Sequence, residues 1–308
     1  MTRNGPTTAV DREWPDIDTS VAHPARVYDY WLGGKANFAA DRKAAEQVLA
    51  ARPGLRFSVR ANRLFLARVV RLLAGELAIR QFLDIGTGIP NAGIPGLEMV
   101  HEAAQAAAPQ ARVVYVDNDP IVLAYAHRLR KSAPEGATDY IQGDLRDPDV
   151  ILREAARTLD FTEPVAVMLL GVLHLISEEE DPYRIVTGLM DAVPPGSYLV
   201  ISHPANDLLP ETQPEATKRY NQYVSTHQRL RSRDEVARFF DGLELLEPGL
   251  TQWHRWRAEP DDSVPAGAVS GHAGVARKPG SVAGSNGRPR LPRTPRPRVL
   301  RSPAKRPR

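Results

Sequence analysis

Gln81-Phe-Leu-Asp-Ile-Gly-Thr-Gly88 is a short apolar run (Phe82, Leu83, Ile85) that enters a tight glycine turn, the pattern of a buried strand feeding a loop. Two segments downstream repeat the layout, Arg112-Val-Val-Tyr-Val-Asp117 and Tyr140-Ile-Gln-Gly-Asp144, and each ends at a carboxylate. In a parallel α/β sheet the C-terminal ends of the strands share one edge, and that edge binds the ligand. Three acids at three strand ends, with a glycine turn beside the first, point to a pocket for a nucleoside-bearing cofactor.

Outward from this stretch, the pattern predicts strands at 81–85, 112–117, 138–142, 164–170 and 197–202. Helices are expected at about 97–108, 120–131, 148–158 and 180–192, spacings that suit right-handed βαβ crossovers. Upstream, Ala39–Ala51 is rich in helix formers and stops before Arg52-Pro53-Gly54, and Ser58–Leu77 carries apolar residues near a 3.6 period. Downstream, 215–241 reads as helical, with Ser232-Arg-Asp-Glu235 as a capping box. Leu243–Glu247 and Ala273–Arg277 are expected to close the sheet as an antiparallel pair, with Trp253 to Trp256 in or beside a strand.

Composition narrows the function classes. The chain of 308 residues is 42% hydrophobic and 25% charged, with no cysteine. Disulfides, thiolate metal sites and a cysteine nucleophile are excluded, and a cytoplasmic location is expected. No apolar run reaches the ~20 residues that span a bilayer, and Met1 to Ser20 lacks the apolar segment of a signal peptide. Residues 280–308 hold nine Lys/Arg and no acid, which leaves 31 basic against 37 acidic residues in the rest of the chain. This Pro/Arg-rich tail is expected to be disordered. Contact of the tail with nucleic acid is conceivable through phosphates, but without an aromatic residue it would lack specificity.

Glycines in Asp84-Ile-Gly-Thr-Gly88 let the backbone approach a ligand closely. A G-x-G-x-x-G dinucleotide fingerprint would need glycine at 91, where Asn91 stands, and Pro90 breaks the expected helix start. An NAD site is therefore disfavoured relative to a ligand without phosphate. Asp117 is placed to accept the ribose hydroxyls and Asp144 to accept from an adenine amine. Alternatively, individual acids here cap helices, as Asp119, Asp147 or Asp149 would.

The motif order resembles that of class I S-adenosylmethionine (SAM)-dependent methyltransferases. More narrowly, the chain is similar to a family from high-GC bacteria whose substrates are largely unassigned. The resemblance rests on Arg26-Val-Tyr-Asp-Tyr-Trp-Leu-Gly-Gly-Lys-Ala-Asn-Phe38, Arg60-Ala-Asn-Arg63, Asp84–Gly88, Val116-Asp-Asn-Asp-Pro120 and Leu173-His174, and covers about 19–279. It implies a Rossmann-like α/β fold whose seven-stranded, mostly parallel sheet has a reversed last strand and helices on both faces. It divides the chain into a flexible lead (1–18), a helical N-terminal lid region (19–79), a SAM-binding core (80–279) and the tail (280–308). Asp84 and Gly86 would line the methionine end, Asp117 the ribose, and Asp144 with Leu145 the adenine, while Gly171 and Val172 would face the sulfonium. Thr87, Gly88 and Asn118 are also implied as cofactor-binding. Tyr28, Lys35, Asn37 and Arg60 would close over the cofactor from the lid. One departure is a Gly/Pro-rich piece between Gly88 and His101 that is longer than the family pattern. It reads either as a surface extension or as an obstruction of the methionine end.

Methyl transfer needs mainly orientation, so a base is required only for a weak nucleophile. His174 is the candidate base or acceptor-positioning residue, with a packed or capping histidine as the other reading and His203 as a weaker candidate. For Tyr30 and Trp31, a core position before a Gly33 or Gly34 helix cap stays open. Glu178-Glu-Glu-Asp181 reads as a helix start and not as a metal cage. The activity implied is methyl transfer to a small-molecule acceptor; the alternative is a catalytically silent SAM- or nucleoside-binding regulator.

Overall fold

The computed structural model describes residues 17–90, 94–128, 132–260, 264–265 and 267–280. The tail assigned to disorder, and most of the lead, lie outside these residues. Five parallel strands carry the fold: β1 (Gln81–Ile85), β2 (Arg112–Asp117), β3 (Ala137–Gln142), β4 (Ala166–Leu170) and β5 (Tyr198–Pro204). Two two-residue strands, β6 (Glu244–Leu245) and β7 (Thr251–Gln252), and the long β8 (Gly271–Arg277) complete the edge. The order is β3-β2-β1-β4-β5-β8-β6, with β7 also on β8, and β8 runs antiparallel to β5.

The sheet has eight strands where seven were expected. The expected strand Leu243–Glu247 contributes only Glu244 and Leu245, paired with Arg277 and Ala276. Pro248 has no N–H for a ladder, and pairing with β8 resumes only at Thr251 and Gln252.

Alternation along each strand divides the core in two. Phe82, Val113, Tyr115, Met168, Val200 and Val275 face one side. There they meet α3 (Leu55–Arg71), a π-helical turn at Leu72–Glu76, and α4 (Val100–Ala107). Leu83, Val114, Val167, Leu199 and Ile201 face the other, against α6 (Pro148–Ala155) and α7 (Pro182–Asp191). α5 (Pro120–Arg128) follows β2.

α1 (Pro24–Leu32) and α2 (Ala39–Ala51) precede the sheet and pack with α8 (Gln213–Tyr223). Gly33 caps α1 in the left-handed conformation, and Trp31 is buried, donating to Ala45 O at 3.2 Å. The region 215–241 is not one helix. α8 ends at Tyr223, and α9 (Arg233–Ala237) begins at Ser232, whose capping box with Glu235 is formed. Trp253 and Trp256 follow β7 in a turn that docks on α3. Arg68 donates to the carbonyls of Trp253 and Trp256 at 2.8 and 3.2 Å, and Trp253 Nε1 donates to Ser58 O at 3.1 Å. Of the run Glu178–Asp181, Asp181 caps α7, while Glu178 pairs with Arg231 and Glu180 with Arg146. No described helix is long and apolar enough to cross a membrane.

Candidate active site

A single cavity of about 1490 Å³, including its open mouth, lies over the C-terminal ends of the strands. Its outer half is lined by Gly86, Thr87, Gly88, Asp117, Asn118, Asp144 and Leu145, from the ends of β1, β2 and β3. Its inner half runs past Gly171, Val172 and His174, after β4, to the walls formed by α1, α2, α3 and α8.

Gly86 and Thr87 donate to Val116 O at 2.8 and 3.1 Å, so β2 holds the turn that ends β1. Gly86 has φ +73°, and a Cβ there would stand 2.4 Å from Val172 Cγ2. The turn and the loop after β4 thus approach at a distance only glycine permits. Asp117 Oδ2 accepts from Gly88 N at 2.8 Å and its Oδ1 from Asp119 N at 3.0 Å. Burial raises the Asp117 carboxyl despite these bonds. Each carboxylate oxygen still has a second lone pair for a ligand hydroxyl.

Asp144 is more open. Burial raises it, but hydrogen bonds from Arg146 N (2.9 Å) and Asn118 Nδ2 (3.3 Å), with the Arg146 charge, outweigh burial and hold it below the usual range. Arg146 also reaches Glu180 and Leu175 O, tying the end of β3 to the loop after β4.

Asp84 does not line the cavity. It lies 2% exposed at the end of β1 with Oδ2 unpartnered. Burial pushes it up to about 6, opposed by the charge of Arg63. Arg63 and Asn62, on the inward face of α3, do line the cavity. Arg63 donates to Thr87 O at 3.1 Å, and its guanidinium lies 5.5 Å over the Tyr28 ring. The Tyr28 hydroxyl donates to Val59 O and accepts from Asn62 Nδ2, both at 3.2 Å, which leaves Asn62 Oδ1 buried without a partner.

Besides Asp84, three more residues expected at the site stand outside the cavity lining. Arg60 points away, donating to Pro95 O at 3.1 Å. Lys35 is exposed in the link between α1 and α2. Asn37 fastens that link, donating to Asp29 Oδ2 at 2.8 Å and Gly34 O at 3.0 Å. Val59, Asn62, Arg63 and Leu66 share one helical face, but spacing alone does not say that this face turns inward. None of the described residues between Ile89 and Met99 lines the cavity; Asn91 itself lies outside the described residues.

His174 is half-buried, with Nδ1 unpartnered. Burial and the charge of Arg231 lower it to about 3, so it is neutral across the physiological range. His203 is fully buried and satisfied: Nδ1 lies 2.7 Å from Pro204 O and Nε2 3.0 Å from the Arg231 guanidinium. Nδ1–H therefore donates and Nε2 accepts, which leaves His203 no free nitrogen for chemistry. Arg231, 0% exposed, also donates to Leu173 O (2.9 Å) and Ile176 O (3.0 Å) and pairs with Glu178 at 2.9 Å. It pins the loop that carries His174, a role no local pattern around position 231 announces.

The pocket suits SAM. The glycine cradle excludes side chains, Asp117 offers carboxylate acceptors, and Arg63 lines the cavity beside the turn, with the Asp84 carboxyl buried behind it. A family model described as S-adenosyl methyltransferase matches residues 11–279. The chain is 42% identical to a DUF574 family protein from Streptomyces avermitilis, with TM-score 0.81, over 85% of this chain and 99% of that one. It is 40% identical to a protein from Thermobifida fusca provisionally assigned as a methyltransferase, with TM-score 0.76, over 85% and 97%. A search of curated proteins gave no match. With the matched model spanning the sheet, the cavity and the helices before them, the chain belongs to the S-adenosyl methyltransferase family and is a SAM-dependent methyltransferase.

Proposed function

We propose that the acceptor is a small molecule held in the inner half of the cavity, and that residues of the outer half orient the cofactor toward it. The observation that carries this reading is the continuity of the two halves. One space runs from the Gly86 turn past Gly171 into an arm enclosed by Trp31, Leu55, Tyr220 and Trp253, each no more than 9% exposed. The turn at the ends of β1 to β3 and the arm beyond Gly171 offer separate places for a nucleoside cofactor and a second compound. An arm enclosed on this scale suits a compound of a few rings better than a macromolecular surface.

Bound SAM supplies an electrophilic methyl group whose leaving group is a neutral thioether, so the protein's task is orientation and exclusion of water. In this reading Asp117 accepts the ribose hydroxyls, and Asp144 with Leu145 frames the adenine. Arg63 receives the methionine carboxylate, while Asn62 Oδ1 favours the ammonium, and the Asp84 carboxyl acts only from behind the turn. Gly171 and Val172 shape the space around the methyl group. Tyr28 closes the site from α1 and keeps Asn62 and Arg63 in place. A histidine at about 3 is a weak proton acceptor. His174 therefore orients the acceptor by a hydrogen bond and does not serve as a strong base.

Calorimetry with S-adenosylhomocysteine on wild type and Asp117→Ala, followed by labelled-methyl transfer into cell extracts, tests this. Micromolar binding that the substitution weakens at least tenfold is expected, with label in the small-molecule fraction. Label confined to protein or nucleic acid would overturn the acceptor reading. Tight binding with no label in any fraction would favour a silent regulator.

A further inference from the structure

Among the described residues of the inner arm, Arg52 is a buried cation with no ion-pair partner. Arg52, at the end of α2, is 5% exposed and lines the cavity. Its guanidinium donates to two neutral groups, Gln213 Oε1 at 3.0 Å and Ala268 O at 2.8 Å. Nε has no partner, and no carboxylate among the described residues lies within ion-pair distance. Burial lowers Arg52 only to about 10, so it stays charged. The other buried arginines in contact with acids differ: Arg26 meets Asp41 and Asp119, and Arg231 meets Glu178. A buried charge without a counter-charge is strongly unfavourable, which makes Arg52 a position where an arriving anion recovers lost solvation.

The surroundings define that anion. The walls beside Arg52 are Trp31, Val48, Leu55, Tyr220 and Trp253, apolar and largely aromatic. Trp31 and Tyr220 have ring centroids 6.3 Å apart, and burial drives the Tyr220 hydroxyl above its usual range. The carboxylates that line the cavity, Asp117 and Asp144, belong to its cofactor half. One cation balances one negative charge; a dianion would leave an unpaired charge in the same apolar place. Arg52 is tied to Ala268, just before β8, whereas Gly171 ends β4. β8 lies two strands from β4, about 10 Å across the sheet, the length of a ring with a short side chain.

Building on the small-molecule reading above, we propose that the acceptor is an aromatic carboxylic acid, a monoanion whose carboxylate pairs with Arg52 while its ring lies along the aromatic walls and its nucleophilic group points toward Gly171. Arg52 is then a specificity-determining residue.

The test compares ring acids with their uncharged amides, using benzoate, 4-hydroxyphenylacetate and 2-naphthoate against the three matched amides. Affinities are read by calorimetry with and without S-adenosylhomocysteine, on wild type, Arg52→Gln and Arg52→Lys. On wild type at least one acid should bind tenfold or more tightly than its amide, a comparison that needs no variant to fold. Arg52→Gln should bring the ratio near one and Arg52→Lys should keep part of it, with S-adenosylhomocysteine affinity within twofold throughout. Equal affinity for acid and amide, failure of all three acids to bind, or an acid preference that survives Arg52→Gln would overturn the inference. Loss of S-adenosylhomocysteine binding by wild type would sink the cofactor reading instead, and the acid-to-amide ratio on the free protein would still decide this one.

Discussion

Replacing Gly86 by alanine tests the closeness of the turn to the loop after β4. The new Cβ would stand 2.4 Å from Val172 Cγ2 and 2.6 Å from its Cβ, where carbon atoms rest at about 3.5–4.0 Å. Val172 cannot easily yield, because it is β-branched with a stiff χ1 and packs among buried residues of the sheet's second face. The backbone adds strain, since φ is +73° and an L-residue in that region loses about 1–2 kcal/mol. Gly242 is the control, with φ +79° and nothing within 4 Å of an added Cβ. Gly242→Ala should therefore show the backbone term alone. Gly86→Ala should show that term plus overpacking of about 1–3 kcal/mol. At about 2–4 °C per kcal/mol for a domain of this size, the melting temperature should fall roughly twice as far for Gly86→Ala as for the control. S-adenosylhomocysteine affinity should drop at least tenfold in Gly86→Ala, about 1.4 kcal/mol, and be unchanged in Gly242→Ala, which is not part of the cavity. Equal melting shifts together with equal affinities would refute the argument, because the turn would then have room the structure denies it.

Asp84 carries a pH signature. Its folded value of about 6 stands above the unfolded 3.8, so its contribution to stability is full below about 4 and is lost as pH rises through about 6. Asp84→Asn removes this loss, and the variant's stability relative to wild type should grow by about 2.5 kcal/mol between pH 4 and pH 7.5, measured by urea unfolding at both. A difference independent of pH would show that the carboxyl is not desolvated as described. For His174, a value near 3 means that its charge does not change between pH 5 and 9. The pH profile of kcat/KM should lack a limb near 6.5, and a limb there that disappears in His174→Asn would contradict the assignment.

The cofactor half of the pocket was legible because its signals are local. A short, continuously buried strand, a glycine turn and an acid at a strand end are each read within a few residues, and Gly86, Asp117 and Asp144 line one cavity accordingly. The arginines were not legible for a geometric reason. Arg60 and Arg63 sit three apart on α3, and which one faces inward depends on the rotation of the helix. That rotation is set by Arg68 and Ser58 meeting the Trp253–Trp256 turn, contacts almost two hundred residues away in the chain. Arg52 and Arg231 likewise acquire their surroundings from Gln213, Ala268 and the 173–178 loop, which no local window contains. The eighth strand was missed because Pro248 divides a run that otherwise reads as continuous.

The N-terminal helices and the loop after β2 are joined by more than apolar packing. His23, just before α1, lies 3.0 Å from Asp119, and Arg26 lies 3.4 Å from Asp119 and 3.7 Å from Asp41. Arg26, Asp41 and Asp119 are each at most 4% exposed. Removing one partner from such a buried set leaves an uncompensated charge, which is far more destabilising than losing a surface pair. Asp119 is also two residues from Asp117, whose Oδ1 accepts the Asp119 N–H. The backbone that presents Asp117 to the cavity is therefore the same backbone that anchors the start of α1. Tyr28, one turn further along α1, in turn supports Asn62 and Arg63 beside the Gly86 turn. A displacement of α1 would thus disturb both Asp117 and Arg63, so the shape of the cavity and the seating of this helix draw on one set of contacts.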